Sequence, residues 1–284
     1  IHLLTIGFHD SHDINFAKEV NQILNLPHSI SEIDPEKFKE VSDKIHQVIK
    51  SDNLSWNENS IAFYYVSKLA KKLDYDRISV IEYGVAGGRG LLILEEYAEE
   101  IKKLLNIKID IYGFDLGTGL PKPKDYRDLP YHWREGFFRM DEQNLRSRLK
   151  HANLIIGNIE STSKDFFSKY NPAPIGAIIH DLDFYSSTKI ALSMLKADTK
   201  FFLPRVYCYI DDTIGTEIEL YNDFTGERLA INEFNSQNEN IKLSVPYHLL
   251  AEANEIWHHQ IWICHFFKHK KYNSFISEPN QQLF

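Results

Sequence analysis

Ile78-Ser79-Val80-Ile81-Glu82-Tyr83-Gly84-Val85-Ala86-Gly87-Gly88-Arg89-Gly90 is the stretch around which the rest of the chain can be organised. Its opening β-branched apolar residues, Ile78, Val80 and Ile81, read as a buried parallel strand. The strand ends at Glu82, and a turn dense in glycine (Gly84, Gly87, Gly88, Gly90) leads into a helical run from Leu91 to Leu105. A strand, a glycine turn and a helix let backbone approach a ligand closely at the carboxyl edge of a sheet. The dinucleotide fingerprint Gly-x-Gly-x-x-Gly fails in both registers: from Gly84 the second glycine position holds Ala86, and from Gly88 the third holds Ile93. What is present is acidic-x-Gly-x-x-x-Gly, carried by Glu82, Gly84 and Gly88.

Outward from that turn the chain reads as alternating strands and helices. Ile61 to Leu73 is a helix with one apolar stripe, in which Phe63, Tyr64 and Tyr65 read as packing. Ile107 to Phe114 is a second strand ending at Asp115, an acid placed at the same sheet edge and suited to accept hydrogen bonds from a ribose diol. Residues 125–140, rich in aromatic and charged side chains without periodicity, read as a lid or substrate loop. A helix from Asp141 to His151 and a strand from Asn153 to Ile156 follow.

The chemistry is densest further on. Ile178-Ile179-His180-Asp181-Leu182-Asp183 and Tyr207-Cys208-Tyr209-Ile210-Asp211-Asp212 are both apolar strands ending in paired acids, with a helix from Ser187 to Lys196 between them. A right-handed crossover would bring both acidic ends to one edge of the sheet. Carboxylates so close repel, so some take up protons or a divalent cation neutralises them. Oxygen-only ligands favour magnesium, with manganese or calcium as alternatives. Beyond Asp212, Thr216 to Asn232 reads as a helix, and Ile241 to Leu250 with Glu255 to Lys268 as an antiparallel hairpin completing the sheet. The histidines of that last strand read as sheet packing rather than zinc ligands.

Glu82-x-Gly84-x-x-x-Gly88 resembles the first motif of the class I S-adenosylmethionine-dependent methyltransferases. Asp115-Leu116-Gly117-Thr118-Gly119-Leu120-Pro121, Gly157-Asn158-Ile159-Glu160-Ser161-Thr162, and Asp181-x-Asp183-x-Tyr185-x-Ser187-Thr188 followed by Asp211-Asp212 resemble the macrocin O-methyltransferase (TylF-type) branch of that class. The likeness runs from about Ser60 to Asp212 and departs before the last strand, where Phe201 to Pro204 replace a Gly-Gly, and at Thr213, where the branch often has Tyr. It implies an α/β fold with a doubly wound, seven-stranded, mostly parallel, Rossmann-like sheet. It implies S-adenosylmethionine as cofactor, bound at Glu82, Gly84, Gly88, Asp115, Gly157, Thr162 and Asp181, and a divalent ion, Mg2+, on Asp181, Asp211 and Asp212. Asp183 is then the catalytic base. The expected reaction is metal-assisted methyl transfer to a hydroxyl of a small molecule, such as a sugar or glycosylated natural product. Alternatives are a non-catalytic S-adenosylmethionine-binding protein, an N-methyltransferase, or a nicotinamide-dependent oxidoreductase.

Residues 1–52 read as an accessory α/β segment and 53–284 as the methyltransferase domain. The segment to about Lys50 is faintly similar to part of the ATP-pyrophosphatase domain of asparagine synthetases. It lacks that family's Ser-Gly-Gly-x-Asp-Ser phosphate loop, so no activity is carried over. The 284 residues include 43% hydrophobic and 25% charged side chains, ordinary for a soluble globular protein. A net charge of −8, from 32 basic and 40 acidic residues, argues against a nucleic-acid partner. No apolar run is long enough to span a bilayer, so no membrane partner is expected. Cys208 and Cys264, in apolar runs, read as buried free thiols of a reducing, cytoplasmic compartment. The expected partner is a small hydroxylated acceptor, and a homo-oligomer is compatible with the sequence.

Overall fold

The computed structural model describes residues 3–8, 12–24, 28–33, 66–252 and 255–277. The chain divides into two compact units, Ile1–Leu54 and Ser55–Phe284. In the first unit, β1 (Leu3–Phe8) and β2 (His28–Ile33) pair in parallel, with α1 (His12–Leu24) connecting them. Of the expected accessory segment, residues 34–52, and of the expected helix from Ile61, Phe63 to Tyr65, lie outside the described residues.

In the second unit the first described element is a helix at residues 66–72, α2. It then alternates β3 (Arg77–Tyr83), α3 (Arg89–Leu105), β4 (Lys108–Asp115), α4 (Glu142–Arg148), β5 (Asn153–Ile156) and α5 (Ile159–Tyr170). Next come β6 (Ile175–His180), α6 (Tyr185–Ser193), β7 (Phe202–Ile210) and α7 (Gly226–Gln237). The seven strands lie in the order β5-β4-β3-β6-β7-β9-β8, where β8 is Ile241–Ser244 and β9 is Ile261–Phe266. All neighbours are parallel except β9, which runs antiparallel to both β7 and β8.

Period-two alternation in the strands builds two cores. Ile78 and Val80 of β3 point into a cluster with Val66 and Ala70 of α2, Leu91 and Leu94 of α3, and Leu145 of α4. Ile81 and Tyr83 point the other way, toward Phe166 of α5, Leu192 of α6 and Ile231 of α7. Helices therefore cover both faces, and every residue of β3 after Arg77 is buried. The chain winds outward from β3 through β4 to β5, then returns to place β6 on the other side of β3. That reversal puts the ligand crevice of a doubly wound sheet at the carboxyl ends of β3 and β6. Cys208 and Cys264 are buried free thiols.

One buried carboxylate ties α3 to the chain entering β5. Glu95 accepts backbone N–H bonds from Lys150 (2.9 Å), His151 (2.5 Å) and Ala152 (2.6 Å). Desolvation alone would raise its pKa, but these donors outweigh it and hold the group below the ordinary glutamate value. Glu95→Gln sets an amide N–H against them and is expected to cost about 2 kcal/mol, lowering Tm by about 4–8 °C near pH 7. A depressed acid stabilises above its unfolded pKa of about 4.3 and loses that contribution as pH falls through the folded value. The Tm gap between wild type and Glu95→Gln should therefore narrow in melts below about pH 4; a constant gap would refute the charge argument.

The carboxyl-terminal third departs from the sequence expectations in three places. The helix expected from Thr216 begins only at Gly226. Before it, Asn222 donates to the Leu220 carbonyl (3.0 Å) and accepts from the Phe224 amide (2.9 Å), local bonds that compete with a helix. The strand expected to reach Leu250 stops at Ser244, two residues before Pro246, and a short helix (α8, Tyr247–Glu252) follows. The strand expected from Glu255 begins at Ile261, because Ile256–Gln260 is a helix, α9. Alternating apolar residues cannot by themselves separate a 14-residue strand from a helical turn feeding a short one, and strands of about 5–6 residues are the norm.

Candidate active site

The glycine turn after β3 is a tightly bonded cradle. Gly84 (φ +82°), Ala86 (φ +45°) and Gly88 (φ +79°) all have left-handed backbone. The Gly84 amide donates to the Phe114 carbonyl (2.9 Å). Asp115, at the end of β4, grips the same turn: its Oδ2 accepts from the amides of Val85 and Ala86 (both 2.9 Å), and its Oδ1 from Gly117 (2.6 Å). Oδ1 keeps one lone pair free for a ligand. Together Gly84, Asp115, Gly157 and Asp181 line one cavity of about 190 Å³.

The other residues expected at the cofactor lie behind that cavity. Glu82 points under the turn, where a Cβ on Gly90 would sit 1.9 Å from its Oε1. Its Oε2 is buried with no partner among the described residues, and burial, helped by the charge of Asp115, pushes its pKa up to about 8. Gly88 caps α3 and backs onto Leu145 rather than the cavity. Thr162 lies in the first turn of α5, its hydroxyl on the Asn158 carbonyl (3.2 Å) and its methyl under Gly157. Leu120, Pro121 and Phe138 from the long loop after β4, with Ile190 from α6, supply apolar wall. Phe138 falls in the segment expected to be a lid or substrate loop.

Across the switch point the two acidic strand ends meet. The Asp181 amide donates to the Tyr83 carbonyl (3.0 Å), fixing Asp181 beside the glycine turn. Asp183 occupies a left-handed conformation (φ +59°), in a three-residue turn closed by the Phe184 amide on the Leu182 carbonyl (2.5 Å). A non-glycine residue there is strained, and such strain concentrates at functional sites. The Asp183 amide donates to Asp212 Oδ2 (3.0 Å), so the two strand ends are directly bonded. Tyr221, from the loop before α7, donates its hydroxyl to Asp212 Oδ1. The fully buried Glu227 accepts from the Asp212 amide (3.0 Å) and the Thr188 hydroxyl (3.0 Å).

Carboxylate oxygens of Asp181, Asp183 and Asp212 lie within 4.8 Å of one another. Asp211, expected in this set, is not part of it. Its Oδ1 instead accepts from the Tyr209 hydroxyl (2.5 Å) and Gln260 Nε2 (2.9 Å), turning the side chain toward α9. Asp183 holds the third position. Desolvation, then the charges of Asp212 and Asp211, push the Asp183 carboxyl up to about 8. Desolvation and Asp211 push Asp212 up to about 7. Asp181 opens onto the cavity yet is raised well above the ordinary range, by desolvation and then by Asp211, Asp212 and Asp183. Protons or a cation must relieve this crowding.

Asp128 joins the long loop to the acidic turn. Fully buried, it accepts from the Lys124 amide (2.8 Å), the Ser186 amide (2.8 Å) and the Ser186 hydroxyl (3.0 Å). It thus caps the start of α6, where Phe184 as N-cap residue offers no side-chain bond. Neither Asp128 nor Tyr221, Glu227 and Gln260 carries a local sequence signal, since each bonds a group at the site nine or more positions away.

Strand order, with helices on both faces of the sheet, defines a doubly wound, Rossmann-like α/β fold. In particular, the chain is similar to the solved structure of the calicheamicin methyltransferase CalS11, with 15% identity, a TM-score of 0.52, and coverage of 92% of this chain and 95% of that one. A second structure, of apo CalS11 described as a TDP-rhamnose 3′-O-methyltransferase, gives 15% identity over 92% of this chain and 97% of that one at a TM-score of 0.44. The plantazolicin methyltransferase BpumL in complex with SAH gives 13% identity, 81% and 89% coverage and a TM-score of 0.37. No family model matches the sequence. No curated protein matches it.

Proposed function

We propose that this chain transfers a methyl group from S-adenosylmethionine to a hydroxyl of a small molecule, assisted by a divalent cation. The observation that carries the proposal is the set Asp181, Asp183 and Asp212, gathered within 4.8 Å, of which Asp181 and Asp183 line the cavity under the Gly84 turn and Asp212 is buried beside them. The fold shared with a calicheamicin methyltransferase supports the cofactor class. The donors fit the ion: three carboxylates, all oxygen, suit magnesium, which prefers a few carboxylates and keeps waters for a substrate oxygen to displace. Asp181 and Asp212 would hold it.

S-adenosylmethionine, when bound, supplies a methyl group already activated by its sulfonium. A bound divalent cation supplies Lewis acidity that makes an acceptor hydroxyl easier to deprotonate. The chain's own residues do the rest. Gly84, Asp115 and Gly157 shape the cradle, and apolar side chains such as Leu120, Pro121 and Phe138 wall it against water. Asp183, with a carboxyl raised toward neutrality, takes the hydroxyl proton. Tyr221 and Glu227 hold Asp212 from two sides. Alignment of oxygen, methyl carbon and sulfur supplies the remaining acceleration.

Two measurements test this. Methyl transfer from S-adenosylmethionine should appear with some member of a panel of polyols and glycosides and vanish in chelator; transfer undiminished by chelator would remove the metal role. The second needs no acceptor. Acids raised in the folded state bind protons that the unfolded chain releases near pH 4, so metal-free stability should fall as pH rises from about 4 to about 8. Magnesium competes with those protons, so it should raise Tm by several degrees near pH 8 and hardly at all near pH 5. Absence of a chelator-reversible rise at pH 8 would contradict the assignment.

A further inference from the structure

A second recess, of about 480 Å³, adjoins the cavity, and Lys124, Glu160, Ser186 and Ile190 line both. In a chain of net charge −8 it gathers four cations, Lys124, Arg127, Lys164 and Lys189, against three carboxylates, Asp125, Asp128 and Glu160. Two of those carboxylates, Asp128 and Asp125, are engaged. Asp128 is turned inward onto the Lys124 and Ser186 amides. Asp125 holds Arg127 through Nε (3.0 Å) and Nη2 (2.7 Å). Glu160 stands 3.9 Å from Lys164, beyond hydrogen-bond length.

Two of the four cations, Arg127 and Lys189, are held rather than free to swing. The Arg127 guanidinium lies 4.5 Å from the centre of the Tyr185 ring, and its Nη1 donates to the Tyr185 hydroxyl (3.2 Å). Lys189 donates to the same hydroxyl (2.7 Å) and to Glu233 (2.7 Å). Tyr185 in turn donates to Glu233 (2.8 Å). Cations fixed before a ligand arrives lose little entropy on binding it. The methyl-transfer chemistry makes no use of these groups.

We propose that this recess binds the phosphoryl group of a phosphorylated acceptor whose hydroxyl reaches Asp183 through the shared wall. A phosphoryl group is favoured over a carboxylate because donors arrive from three elements, the loop at 124–127, α5 and α6, around more space than a carboxylate fills. Its doubly charged, three-oxygen head can meet several of them at once. The word acceptor rests on the methyl-transfer reading; binding of the anion does not.

Calorimetric titration of the full chain at low salt with glucose 1-phosphate, glucose, inorganic phosphate and S-adenosylhomocysteine tests this. Glucose 1-phosphate is expected to bind more tightly than inorganic phosphate, and glucose not at all. Lys164→Glu, at a side chain 70% exposed and outside the cofactor cavity, should weaken the sugar phosphate about tenfold and leave S-adenosylhomocysteine unaffected. No binding of the sugar phosphate up to about 5 mM, or equal binding by wild type and Lys164→Glu, overturns the site. Equal affinity for glucose 1-phosphate and inorganic phosphate overturns the acceptor assignment. Failure of S-adenosylhomocysteine to bind the wild type counts against the methyl-transfer reading alone.

Discussion

Asp183→Asn is expected to lower turnover about 10²–10⁴-fold near pH 7.5, the range a positioned general base contributes, while leaving the affinity for S-adenosylhomocysteine within about twofold. The substitution is nearly isosteric and keeps the backbone N–H that bonds Asp212, so the turn between β6 and α6 is retained. What is lost is a carboxylate that desolvation and the neighbouring Asp212 and Asp211 charges make a stronger base than an ordinary aspartate. A second readout separates catalysis from folding. Because desolvation and the neighbouring Asp212 and Asp211 charges disfavour an ionised Asp183, removing it should raise the metal-free Tm near pH 8, where wild type is partly charged. Lower activity with higher stability is the signature expected of a residue kept for chemistry. Asp211→Asn is the contrast: Asn can still accept from Tyr209 and Gln260, so turnover should change far less. Unimpaired turnover in Asp183→Asn, measured on the acceptor found by the panel, would exclude it as the base.

Why Asp183 rather than Asp211 joins Asp181 and Asp212 shows where sequence reading stops. Strands β3, β4 and β6 were legible because each is a short, largely apolar run ending beside glycine or acid, and such runs report burial directly. Strand β7 was legible only from Tyr207, since it begins at Phe202 in residues that Pro204 and Arg205 make read as a loop. That β6 and β7 are neighbours follows from the short crossover between them, so convergence of their acidic ends was also legible. Which acids face one another was not. It depends on the left-handed backbone at Asp183 and on Gln260 drawing Asp211 aside. Gln260 comes from a helix that the alternating apolar pattern presented as strand. Glu82, Gly88 and Thr162 illustrate the same limit on the cofactor side: a motif marks the turn, but only packing decides which of its members touch the cavity. Glu227 and Asp128 are carboxylates like any others in the sequence, yet each is wholly buried beneath the site.

Gly84→Ala should be the most destabilising single-methyl change in the cradle. Gly84 sits at φ +82°, and a Cβ there would lie 1.7 Å from the Asp181 carbonyl oxygen and 2.8 Å from its carbonyl carbon. Both atoms are backbone, so no side-chain rotation relieves the clash; β3 and β6 must separate at their carboxyl ends. The unfavourable φ adds about 1–2 kcal/mol and the overpacking about 1–3, for a total of about 3 kcal/mol and a fall in Tm of about 6–12 °C. Gly87→Ala is the internal control. Nothing lies within 4 Å of its Cβ position and its φ is outside the left-handed region, so the extra methyl should change Tm by about 1–2 °C at most. The two glycines are three residues apart in one turn, and composition alone gives no reason for them to differ. The contrast therefore reads out one geometric relation, the close passage of the Gly84 backbone against Asp181. Because that passage also sets the distance from the cradle to the acids, Gly84→Ala should weaken S-adenosylhomocysteine binding as well, whereas Gly87→Ala should leave it within about threefold. Equal melting temperatures for the two variants would mean that the turn does not pack against β6 at all.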